Sequence, residues 1–248
     1  MINLRQCLVA IASASTALAA SSCSTLEVRN AGVPAGQMKS VNGGMYHHLI
    51  SNIKAEPSIV DIYHSYPPGS NTSEKAIIHL TDIFGVPLLE NKLYVSTRIS
   101  AKQLLMNFSL ADSIASNGYL VLVPDLFAGD AISVEEQEAG LNLTAWFALH
   151  PQSAVEAVIN KTIQYARNEL GVEKLGGVGY CFGGKYVGRW LKRDNSGLDL
   201  GFVAHPSNLL ETEIQAIAKP LGIAAGSKLK IPLLHYGSSW HVANRHST

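Results

Sequence analysis

Cys181 stands in the run Gly177-Val-Gly-Tyr-Cys-Phe-Gly-Gly-Lys-Tyr-Val-Gly-Arg-Trp190, one thiol among glycines. Three roles suit such a residue: nucleophile, redox thiol or small core side chain. Gly179-Tyr-Cys-Phe-Gly183 has the G-x-nucleophile-x-G form of a strand-to-helix elbow, with Cys in the place of Ser. The turn at an elbow is sharp, so side chains flanking the nucleophile would clash, and glycines avoid the clash. A thiol at a helix N-terminus is acidified by the positive end of the helix dipole. The N–H of Phe182 would then face an oxyanion developing on the substrate. The other cysteines, Cys7 and Cys23, lie far upstream, and no resolving partner for a redox thiol is near.

A nucleophile of this kind needs a base, and the base needs an acid to orient it. No Asp or Glu follows Glu213 in the chain. Three histidines do follow it, His235, His241 and His246, and His241 lies in Tyr236-Gly-Ser-Ser-Trp-His-Val-Ala-Asn-Arg245. His205, in Ala204-His-Pro-Ser207, follows an apolar run. It could line a pocket at a strand's C-terminal end, or serve only the turn at Pro206. His47, His48 and His64 have no metal-ligand spacing, and neither a metal nor a cofactor is expected. Asp125, after Pro124, reads as a loop cap, and Arg189 and Arg193 as a solvated helix face.

The elements that must carry these residues alternate. Short apolar runs at Ala76–Leu80, Leu120–Val123, Leu175–Gly179, Leu200–Ala204 and Leu221–Ala225 suit strands covered on both faces. Val60–His64 reads as an edge strand. Ser153–Leu170 has helical spacing of apolar residues, with Ser153 as N-cap and Gly171 as the stop. Glu211–Lys219 reads as a shorter helix closed by Pro220. Strands alternating with helices imply an α/β fold: a doubly wound, mostly parallel sheet with helices on both faces.

With 248 residues and 47% hydrophobic content, the chain can bury one sizeable core. Its formal net charge of +0 gives no reason to expect a nucleic acid or an anionic membrane as partner, and no run of about 18 apolar residues marks a membrane span. Residues 1–19 read as a signal peptide, with Arg5, an apolar stretch Cys7–Leu18 and an Ala17-Leu-Ala19 cleavage site, so secretion is expected, with a cytoplasmic location as the alternative. Residues 20–59 read as a leader, 60–226 as the α/β domain and 227–248 as an atypical tail. Tyr94–Ser109 reads as an insertion, because deleting it joins the flanks into one amphipathic helix ending at Asn117-Gly118.

Together, Leu80-Thr-Asp-Ile-Phe-Gly85, Val123-Pro-Asp-Leu-Phe-Ala-Gly-Asp130, Gly179-Tyr-Cys-Phe-Gly-Gly184 and Ala204-His-Pro-Ser207 resemble the dienelactone hydrolase family of α/β-hydrolases, in particular its fungal members. The resemblance implies hydrolysis of small carboxylic esters or lactones through a thioester on Cys181. It implies that Asp82 helps govern thiol ionisation. It further implies that the N–H groups of Ile83 and Phe182 form the oxyanion hole and that His241 is the candidate base. The family's downstream acid has no counterpart here, and Gly129 and Asp130 stand where bacterial members carry a substrate-binding arginine. The alternative is a catalytically impaired relative of the same fold that only binds small ligands. The oligomeric state is not legible.

Overall fold

A computed structural model describes residues 35–42, 59–86, 110–193, 197–224 and 240–242. The signal-peptide reading, the Tyr94–Ser109 insertion and nearly all of the 227–248 tail lie outside the described residues.

Among the described residues, eight strands form one sheet: β1 (Gln37–Asn42), β2 (Ile59–Ser65), β3 (Lys75–Leu80), β4 (Leu120–Pro124), β5 (Lys174–Tyr180), β6 (Leu200–Ala204), β7 (Leu221–Ala224) and β8 (Trp240–Val242). Their spatial order is β1-β2-β4-β3-β5-β6-β7-β8. β2 runs antiparallel to β1 and β4, and every pair from β4 to β8 is parallel. This is the expected doubly wound, mostly parallel sheet. β2 is not the edge that its sequence suggested, because β1 covers it through residues 37–42, within the stretch read as leader. Only Val41 of β1 is buried, so that strand rests on backbone pairing and shows no apolar alternation.

Helices cover both faces. Short helices α1 (Val134–Glu138) and α2 (Leu143–Leu149) precede α3 (Gln152–Asn168). Ser133 and Asn142 cap the first two with their side chains. α3 begins one residue before Ser153, and Pro151 occupies its N-cap without a side-chain bond. Gly171 ends this segment at φ 67°, as a stop signal should. α4 (Phe182–Arg189) follows the elbow, and α5 (Glu211–Gln215) is shorter than the Glu211–Lys219 expectation. Val155, Ile159 and Ile163 of α3 and Val187 of α4 bury against one face of the sheet. Ala111, Ile114 and Ala115, on the helical stretch 110–115, bury against the other with Ile77, Val121 and Val178. A fully buried aliphatic side chain of this kind contributes about 1.5–3 kcal/mol, so the two faces together hold the strand ends in place.

Candidate active site

The parallel strands end together at one edge of the sheet, and the register sets three residues abreast there. Leu80 of β3 pairs with Gly179 of β5, and Tyr180 of β5 pairs with Ala204 of β6. Two steps past Leu80, one past Tyr180 and one past Ala204 bring Asp82, Cys181 and His205 level on neighbouring strands.

Cys181 is the N-cap of α4 and holds φ 48° and ψ −111°. A positive φ is costly for any residue with a Cβ. The elbow keeps it there by packing. A Cβ on Gly179 would lie 2.6 Å from the Gly183 carbonyl oxygen, and one on Gly183 would overlap the Leu80 carbonyl. The Cys181 N–H donates to the Ala204 carbonyl at 3.2 Å, and its own carbonyl accepts from Gly184 at 3.2 Å and Ser207 at 2.9 Å. The thiol is free and partly exposed.

Phe182 is the first residue of α4, so its N–H has no acceptor within the helix. Ile83 sits in a tight turn. Asp82 Oδ1 accepts the Phe84 N–H at 3.0 Å, the Asp82 carbonyl accepts Gly85 N–H at 3.1 Å, and the Ile83 carbonyl accepts Ile132 N–H at 3.1 Å. Burial pushes the Asp82 carboxyl up, while the Phe84 N–H and the nearby His205 draw it down. The loop after β4 closes over this turn. Asp125 accepts Phe127 N–H at 3.1 Å and Gly129 N–H at 2.6 Å, which bears out its reading as a loop cap. Phe127 then packs on Phe182 with ring centroids 5.4 Å apart, and Phe147 stacks on Phe182 at 6.0 Å. The wall beside the elbow is therefore aromatic.

Asp82, Ile83, Gly179, Cys181, Phe182 and Gly183 come together at this edge. The His241 backbone lies in β8 opposite Gly222, three strands from β5 and below the level of Cys181. Arg189 is a correction. It does not belong to a solvated face but bridges Glu156 of α3 at 2.6 Å and Glu213 of α5. Among the described residues, no group of three or more metal-ligating side chains gathers.

A family model described as the dienelactone hydrolase family matches residues 60–230. Hydrolase pyvD of Aspergillus violaceofuscus is 38% identical over 68% of this chain and 61% of its own length. Hydrolase tropI of Talaromyces stipitatus is 33% identical over 85% of this chain and 72% of its own length. The chain thus spans less than two thirds of the first relative. A crystal structure of dienelactone hydrolase from Anabaena variabilis is 13% identical, with a TM-score of 0.47, covering 78% of this chain and 74% of that one. This chain belongs to the dienelactone hydrolase family, on the α/β-hydrolase fold.

Proposed function

We propose that the chain hydrolyses small carboxylic esters or lactones through a thioester on Cys181. The observation that carries this reading is the backbone of Cys181, held at φ 48° and ψ −111° between β5 and α4. Such strain persists only where surrounding structure over-determines it, and it clusters where chemistry is done. The cysteine thiolate adds to the ester carbonyl. The carbonyl oxygen takes the electron pair and is met by the N–H groups of Ile83 and Phe182. Collapse expels the alcohol and leaves the acyl group on sulfur, and water then releases the acid. A neutral, apolar acyl group suits Phe127, Phe147 and Phe182, since Gly129 and Asp130 offer no cation for a substrate carboxylate.

The test is hydrolysis of p-nitrophenyl acetate by the full chain and by Cys181→Ala. The substitution should lower the rate at least 100-fold, and equal rates would sink the nucleophile. A second reading is an impaired relative that only binds small ligands, and the observation on its side is that residues 214–248 contain no Asp or Glu. Hydrolysis that is absent from both proteins, with small esters still bound, would support it.

A further inference from the structure

We propose that His205 is the base for Cys181. The proposal rests on Cys181 being the nucleophile.

The geometry is local and mutual. The two residues flanking the His205–Pro206 step both bond the Cys181 backbone: Ala204 accepts its N–H and Ser207 donates to its carbonyl. The peptide that carries the thiol is therefore clasped by the turn that carries the imidazole. Adjacent strands are about 4.8 Å apart, so the side chain of His205 starts one strand spacing from the thiol. His205 is exposed and holds φ 39°, a left-handed conformation that a residue with a Cβ avoids unless held there. Its N–H donates to the Ala224 carbonyl at 3.0 Å, which fixes the turn from the other side. Asp82, level with Cys181 on the opposite strand, feels the charge of His205.

The imidazoles of His64, His79 and His150 are occupied or enclosed. His64 is buried between the Ile62 carbonyl and the Tyr165 hydroxyl. His79 is fully buried at the level of Val178. His150 faces Asp130 at 3.3 Å. The titratable groups around His205 are Asp82 and Cys181 on the β3 and β5 side, with the Tyr180 ring at 6.3 Å and His79 behind it, 5.6 Å from Tyr180. β7, on its other side, is Leu-Gly-Ile-Ala and carries no charge.

The proton ledger closes on these groups. The imidazole takes the thiol proton, giving thiolate and imidazolium. The thiolate adds to the carbonyl, and when the tetrahedral intermediate collapses the leaving alkoxide takes that proton. In the second half, a water gives its proton to the imidazole as its oxygen attacks the thioester. The departing thiolate recovers the proton from the imidazolium. One water is consumed.

The experiment measures the alkylation rate of Cys181 by iodoacetamide from pH 5 to 9, read on the Cys181 peptide by mass spectrometry, beside ester hydrolysis. His205→Asn is the variant of choice, since Asn tolerates a positive φ and does not titrate. Unmutated protein should alkylate with an inflection in the histidine range as well as one near the thiol value. In His205→Asn the lower inflection should vanish, the rate at pH 7 should fall about tenfold, and kcat should drop at least 100-fold with KM changed less than threefold. A single inflection near pH 8.5 in the unmutated protein overturns the proposal, whether or not the variant folds. So does a wild-type profile in His205→Asn, or loss of neutral-pH alkylation in His241→Asn alone. If Cys181→Ala hydrolyses as fast as the parent, the nucleophile reading has failed and takes this proposal with it. If only Cys181→Ala is inactive, the reading stands and His205 is not the base.

Discussion

Glycine would adopt the backbone of Cys181 freely, whereas cysteine pays for it with strain of about 1–3 kcal/mol. Cys181→Gly should therefore be more stable than Cys181→Ala by about 1 kcal/mol in urea unfolding, although both lack the thiol. Equal midpoints would mean the elbow is relaxed and the strain argument fails. The elbow at Cys181 and its glycines were legible because the motif is local: five consecutive residues specify a turn. The turn that carries Asp82 and Ile83 was announced by its own motif after a strand. His205 was visible only as a histidine at a strand end. That it stands beside Cys181 depends on β6 being the neighbour of β5, a long-range pairing with no local signature. The strand that carries His241 was equally invisible, since a tail motif says nothing of which strand carries it.

At the scale of elements, Arg189 ties three helices. It lies on α4 and reaches Glu156 on α3 and Glu213 on α5, with side-chain exposures of 18% for the arginine and 7% for Glu213. Burial raises the Glu213 carboxyl, but the Leu210 N–H and Arg189 more than offset this and hold it below its usual range. Arg189→Ala leaves two acids facing each other in a half-buried site and should cost about 3 kcal/mol. Unfolding in urea checks this, and a loss under about 0.5 kcal/mol would mean the pairs are merely surface contacts. The partners lie 33 residues before and 24 residues after Arg189, so no helical spacing could have announced them. The strands with continuous apolar runs were all legible. β1 was not, because Gln37–Asn42 buries one side chain and is held by backbone bonds to β2. α1 and α2 were missed because each is shorter than the window in which helical periodicity becomes visible.

For the molecule as a whole, two enclosed histidines set an acid limit. Burial lowers both His64 and His79 to about 4. The unfolded chain takes up protons near pH 6.5 and the folded chain does not until about pH 4. Stability is therefore complete above pH 6.5 and declines as pH falls through that window, by about 3 kcal/mol for each histidine. His79 has no hydrogen-bond partner for either ring nitrogen among the described residues. His79→Leu should thus be neutral or stabilising at pH 7.5 and should remove about half of the decline between pH 6.5 and 4. Urea midpoints at pH 7.5 and 4.5 read this out, and an unchanged decline would mean His79 is protonated in the fold. The mass of the intact protein during turnover reports directly on the Cys181 thioester. After rapid acid quench with p-nitrophenyl acetate, the chain should gain one acetyl group, about 42 Da, located on the Cys181 peptide and absent in Cys181→Ala. Hydrolysis that proceeds with no acyl adduct on Cys181, or with the adduct on another residue, would contradict it.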